Sequence, residues 1–229
     1  MGQLSFETGR ILPRLGDDSA PACGTSANTR RAVVESERAD RCAQLRAALH
    51  GLVPRAAVSA LRVLEIGSGP GHFLEAFASA HVDRFCLGID YCAERSRRAA
   101  RKQQRNPNGN LLFLRAEVWE FLDSLPDDLR FDAVFVLFPD PWPKRRHRKY
   151  RLISDRFLER LARCTSDGAH LYLRTDAPDY FSEARAQIDA NPSWRLAPDI
   201  PWAFEQPTVF QSKAVAYQSL VAINVSRAR

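Results

Sequence analysis

Cysteine is scarce and badly spaced for structural work. The five residues Cys23, Cys42, Cys86, Cys92 and Cys164 form no C-x-x-C pair and leave one over if paired, a pattern that argues against structural zinc or a disulfide scaffold and fits a reducing compartment. No apolar run approaches the roughly 20 residues of a membrane-crossing helix, and the first residues lack the apolar core of a secretory leader. Lysine is nearly absent, with only 4 of the 33 basic residues. Genome base composition enriches arginine without any selection for phosphate contacts, so the basic character carries meaning only where it clusters. The expected location is the cytoplasm, with neither a membrane nor a metal as partner.

What is present describes a folded globule. The 229 residues are 45% apolar and include four Trp, enough for one large domain with a substantial core. A net charge of +6 favours a polyanionic partner such as nucleic acid. The charge clusters between positions 144 and 151, where six of eight residues are Lys or Arg.

Residues 1–30 mix Gly, Pro, Ser and Asp without periodicity and read as an extended or partly disordered arm. Residues 31–50 place apolar side chains at helical spacing, and 31–229 form a single domain. From position 61 short apolar runs alternate with helical stretches. Strands are expected at 61–66, 84–89, 111–115, 131–137 and 169–174, with crossover helices at 71–81, 92–105, 117–124, 151–165 and 179–190. Such alternation specifies an α/β doubly wound domain with a mostly parallel sheet covered on both faces. Beyond 191 the prolines at 192, 198, 201 and 207 break any helix, and the apolar run 214–225 reads as a last strand joining the sheet antiparallel.

Leu64-Glu65-Ile66-Gly67-Ser68-Gly69-Pro70-Gly71-His72 sets a glycine turn between the first strand and the first crossover helix. Glycines admit a ligand close to the backbone, and the helix N-terminus behind them offers free N–H groups. His72 stands where a dinucleotide fingerprint needs its third glycine, and Glu65 would repel a pyrophosphate but attract a cation. Asp90 at the end of the second strand is placed to accept ribose hydroxyls. Glu117 follows the third strand, where it serves a ligand or caps a helix. Three carboxylates at successive strand ends match a ligand with an amino group, a ribose, an adenine and positive charge. S-adenosylmethionine has all four.

The run Phe138-Pro139-Asp140-Pro141-Trp142-Pro143-Lys144-Arg145-Arg146-His147-Arg148-Lys149-Tyr150-Arg151 holds one acid and one Trp between prolines, ahead of the basic block. Prolines fix φ and remove donors, so Asp140 and Trp142 are presented stiffly. Trp142 suits stacking on an extruded base or plugging the loop from beneath. His147, set among cations, suits a phosphate or ribose contact or plain solvation. This run, with Leu64 to Gly67, Thr175-Asp176 and Thr208 to Gln211, resembles the tRNA (guanine-N7)-methyltransferases over about positions 60–215. The resemblance implies the seven-stranded, Rossmann-like class I methyltransferase fold with an N-terminal helical extension, S-adenosylmethionine as methyl donor and tRNA as partner. It implies methylation of guanine N7, in the variable loop, by a monomer or homodimer.

By the same resemblance Glu65, Gly67, Gly69, Gly71, Asp90, Glu117 and Asp140 line the cofactor pocket, and Asp140 also faces the target base as the catalytic residue. Lys144, Asp176, Thr208 and Gln211 meet the substrate, while Arg146, His147, Arg148, Lys149 and Arg151 contact the RNA. The chain departs from the family in ending its T-x-x-E motif on Gln211, which hydrogen-bonds without supplying charge, and in carrying Tyr150 where a basic residue is common. Two other readings stay open: methylation of an exocyclic amino group, whose enzymes often carry Asp-Pro-Pro-aromatic, and a non-catalytic RNA-binding relative of the fold.

Overall fold

A computed structural model describes residues 27–52, 61–206 and 215–226, with side chains from residue 32 onward. Helix α1 spans Ala27–His50 and the helices that follow are α2 His72–Ala80, α3 Ala93–Arg105, α4 Val118–Ser124, α5 Asp155–Arg163 and α6 Pro178–Ala190. The strands are β1 Leu61–Ile66, β2 Arg84–Asp90, β3 Leu111–Arg115, β4 Phe131–Leu137, β5 Thr165–Thr175, β6 Trp194–Leu196 and β7 Gln218–Asn224. They form one seven-stranded sheet in the order β3-β2-β1-β4-β5-β7-β6. The pairs from β3 through β5 are parallel, and β7 runs antiparallel to both β5 and β6.

Strand order reverses between β1 and β4, whose neighbours lie on opposite sides, so the crevice between their carboxyl ends is where open sheets of this kind bind ligands. Alternation along β4 explains the two cores. Val134 and Val136 enter one apolar cluster with α1 and α4 to α6, whereas Phe135 and Leu137 enter another with α2, Ala99 of α3 and the segment holding Ile200, Trp202 and Phe204. Both faces of the sheet are therefore covered. α1 is fastened to α4 by Leu49 in the core and by Arg41, which forks onto the Glu120 carboxylate at 2.7 Å.

Three local differences from the sequence reading have physical causes. The helix expected at 151–165 is shortened to Asp155–Arg163: an exposed 3-10 helix, Arg145–Tyr150, precedes it, and α5 starts only where the Ser154 hydroxyl accepts the Phe157 N–H at 3.4 Å. β6 is three residues long among prolines, too short for alternation to mark it. β5 begins four residues early, at Thr165, because Gly168 takes φ +77 and lets an irregular strand reach back to Phe131.

Candidate active site

The turn from β1 into α2 is shaped by three left-handed glycines, Gly67, Gly69 and Gly71 (φ +75, +57 and +79). The N–H groups of Gly67 and Ser68 both donate to the Ile89 carbonyl at 2.9 Å, which ties the turn to the end of β2. A Cβ on Gly71 would lie 2.5 Å from the Phe113 ring, so close packing requires glycine there. A Cβ on Gly67 or Gly69 would meet nothing within 4 Å. Those two positions leave open space on the side a ligand would approach.

Glu65 shares a strand face with Val63 and points toward α2, only 3% exposed. Its Oε2 is buried with no hydrogen-bond partner. Burial, and then the nearby Asp90 carboxylate, push its pKa well above the ordinary range, with the Leu74 backbone N–H opposing them. Asp90 is 5% exposed; its Oδ2 accepts the Gly69 N–H at 3.0 Å, its Oδ1 accepts the Cys92 N–H at 2.7 Å, and Arg95 Nε stands 3.5 Å away. A carboxylate oxygen accepts more than one hydrogen bond, so Asp90 retains capacity for a ligand hydroxyl. An orphaned buried carboxylate oxygen, a second acid beside it and a glycine turn with open space together fit a cationic nucleoside. Glu117 sits apart in its chemistry: exposed, it caps α4 by accepting the N–H groups of Trp119 at 2.9 Å and Glu120 at 3.1 Å.

Beyond β4 the chain turns through two bulky residues in left-handed backbone, Phe138 (φ +51) and Trp142 (φ +43). Each costs roughly 1–2 kcal/mol. The conformation is held at its entrance by the Phe138 N–H donating to the Arg174 carbonyl at 2.7 Å. Asp140, between the two, is exposed at the carboxyl edge of the sheet. Trp142 keeps 36% of its surface exposed and packs beside Tyr150 and edge-on to His147, with centroids at 5.4 and 5.8 Å. It is therefore a surface aromatic with an accessible face rather than a plug.

Lys144, Arg146, Arg148 and Lys149 are exposed along the 3-10 helix and its N-terminal flank, with His147 half-buried among them. Arg148 pairs with Asp179 at 3.2 Å. Arg151 departs from its expected role. It is 4% exposed, donates to the Pro141 carbonyl at 2.9 Å, and pairs with Asp179 and Glu183 at 2.5 Å each. Its guanidinium faces into the protein, so it adds nothing to a surface for RNA. Asp179 and Glu183 are the residues that sequence reasoning missed; their spacing of four on α6 was the available signal. Asp176 is exposed after β5, and Thr208 and Gln211 lie outside the described residues.

An open, mostly parallel sheet with an acid-preceded glycine turn at its switch point and a second acid closing β2 has the architecture of an α/β domain of the class I methyltransferase type. The family model "Putative methyltransferase" matches residues 59–223, and the chain belongs to that family. Among curated proteins, a tRNA (guanine-N(7)-)-methyltransferase of Caulobacter vibrioides (strain NA1000 / CB15N) is 34% identical over 134 residues, 58% of this chain and 59% of the relative. A protein of the same name from Rhodospirillum rubrum is 33% identical over 150 residues, 66% of this chain and 56% of the relative. The matches thus span somewhat under 60% of these relatives' lengths. The crystal structure of the aminoglycoside resistance methyltransferase NpmB1 shares the fold, with a TM-score of 0.53 at 20% identity over 76% of this chain and 92% of that one. Among the described residues no helix is long and apolar enough to cross a membrane.

Proposed function

We propose that the chain transfers a methyl group from S-adenosylmethionine to N7 of a guanine in tRNA, in the variable loop. The observation that carries the reading is the juxtaposition of the buried, half-unsatisfied Glu65 in the crevice with the exposed Asp140–Trp142 loop and a cationic 3-10 helix at the same sheet edge. The names of the curated relatives support the same substrate.

When bound, the cofactor supplies an electrophilic methyl group on a sulfonium. The protein's task is positioning and electrostatics, because guanine N7 carries a lone pair and no proton, and no general base is needed. Glu65 would hold the cofactor's ammonium and Asp90 its ribose, with Gly67 and Gly69 leaving room for the backbone to approach. Methylation at N7 would leave positive charge on the purine. Asp140 stabilises that charge and orients the base through its amino or imino hydrogens, and Trp142 offers an aromatic face for the base to stack on. Lys144, Arg146, Arg148 and Lys149 engage the RNA backbone.

The test is incubation of bulk unmodified tRNA with labelled S-adenosylmethionine, followed by digestion and nucleoside mass spectrometry. The expected product is 7-methylguanosine. A nucleoside methylated on an exocyclic amino group would replace this reading with the amino-methylating one. No incorporation, with no cofactor binding in calorimetry, would leave a non-catalytic RNA-binding module.

A further inference from the structure

Three prolines leave the 138–143 loop with few ways to hold itself. Pro139, Pro141 and Pro143 have no N–H, so half of its six residues cannot donate to a neighbouring carbonyl. Phe138 and Trp142 are in left-handed backbone that bulky side chains avoid. A conformation of that kind persists when the surroundings impose it. At its entrance the constraint is the Phe138 N–H on β5. Further along, between Asp140 and Trp142, it is Arg151, whose Nε donates to the Pro141 carbonyl.

Arg151 is itself held on α6. Its two terminal nitrogens bind Asp179 and Glu183, one helical turn apart, and its guanidinium lies 4.9 Å from the centroid of the Tyr180 ring. The Tyr180 hydroxyl accepts the Ile153 N–H at 3.0 Å, fixing the chain two residues further on. Tyr180 is fully buried. Arg151 thus uses all three sides of its planar fork to join the loop after β4 to the helix after β5, which a lysine's single ammonium cannot reproduce.

We propose that Arg151 is a positioning residue for methyl transfer: it locks the Pro141 carbonyl to α6 and thereby fixes where Asp140 and Trp142 stand. The role rests on the methyl-transfer reading above, but the lock is a geometric statement that can fail separately. Arg151 acts through Asp140 and Trp142, with no contact of its own to the RNA.

The test compares the full-length wild type with Arg151→Lys, which keeps the charge, and Glu183→Gln, which weakens the seat while leaving Arg151 in place. In limited trypsin digestion well below the melting temperature, with cut sites identified by mass spectrometry, cleavage after residues 144–149 accelerates severalfold in Arg151→Lys and less in Glu183→Gln. At saturating cofactor and tRNA, kcat falls roughly 10- to 100-fold in Arg151→Lys, the range a misplaced reacting group costs. The Kd for tRNA and its salt slope stay at wild-type values. Unchanged cleavage overturns the lock. A raised KM with a shallower salt slope and intact kcat overturns it in favour of an RNA contact. A lowered Tm with intact kcat per folded molecule reduces Arg151 to a structural residue. If the wild type methylates no tRNA, the functional reading fails, and the trypsin result alone decides the lock.

Discussion

The carboxylate of Asp90 accepts the backbone N–H of Gly69 at 3.0 Å across 21 residues of sequence. The acid that closes β2 is therefore joined to the glycine turn that closes β1. Its other oxygen takes the Cys92 N–H at the start of α3. One side chain sets the relative positions of the turn, the strand end and the next helix, and a ligand that used Asp90 would meet a group already oriented.

This predicts that Asp90→Asn is not a conservative change. Both oxygens of Asp90 receive an N–H, and an amide presents one oxygen and one donor group, so one of the two bonds becomes a donor facing a donor. S-adenosylmethionine affinity is expected to fall roughly 10- to 100-fold, the 1.5–3 kcal/mol of a hydrogen bond to a charged group. Calorimetry measures it. Wild-type affinity in the variant would show that the Gly69 and Cys92 bonds do not shape the pocket.

Glu65 predicts opposite effects on stability and binding. Its ordinary pKa is 4.5, and burial with Asp90 raises it in the fold. Between 4.5 and the raised value the folded chain binds more protons than the unfolded one, so stability without ligand falls as pH rises through that window. Glu65→Gln should flatten this fall and raise Tm at neutral pH by roughly 2–4 °C, as about 1 kcal/mol does for a chain of this size. Cofactor affinity should rise with pH over the same window in the wild type, as the carboxylate forms opposite an ammonium. The variant should bind weakly at every pH. A pH-independent affinity in the wild type would remove Glu65 from the cofactor's amino group.

Much of this architecture could be read from residue patterns, for reasons visible in particular elements. β1 to β4 are short apolar runs bounded by turn residues, and their expected spans agree with the structure to within a residue. One helix start was legible from its cap: Glu117 does cap α4, a role its place after β3 suggested, whereas the Ser154 cap that starts α5 was not read. The burial of Arg151 could not be read. Local charge groups it with the basic block, and only tertiary structure shows that Asp179 and Glu183, 28 and 32 residues later, surround it. Sequence reports the charge of a side chain, while partners distant in the chain decide which way it faces.

Gly71→Ala separates packing from ligand contact. The added methyl would sit 2.5 Å from the Phe113 ring at φ +79, so both sterics and backbone oppose it. A loss of roughly 1–3 kcal/mol in stability is expected, read as a lower midpoint in urea. Gly69→Ala meets no atom within 4 Å and should be milder in stability while weakening cofactor binding. Equal destabilisation by the two would contradict this division.

The exposed cations predict a salt signature. If Lys144, Arg146 and Lys149 each neutralise a phosphate, log Kd for tRNA rises with log salt, and each Ala substitution lowers the slope by roughly 0.7–0.9. Filter binding from 50 to 200 mM salt measures it. Arg148, already paired with Asp179, should contribute less than the other three. A slope indifferent to all three substitutions would place the RNA elsewhere on the molecule.

Asp140→Asn tests the chemistry itself. The residue is exposed at the sheet edge, between Phe138 and Trp142, which are both in left-handed backbone. Methylation of N7 removes no proton in the transfer step, so a base at Asp140 would have nothing to accept. A stabiliser of developing charge makes a different prediction. Asparagine is isosteric and still orients a base edge, but it carries no negative charge to oppose the purinium that forms. Turnover should drop roughly 10²-fold, in the range for losing one preorganised electrostatic contact, while Kd for S-adenosylmethionine changes little. Asp140→Ala, which also loses orientation, should fall further. Full turnover in Asp140→Asn would leave orientation alone as the role of this residue.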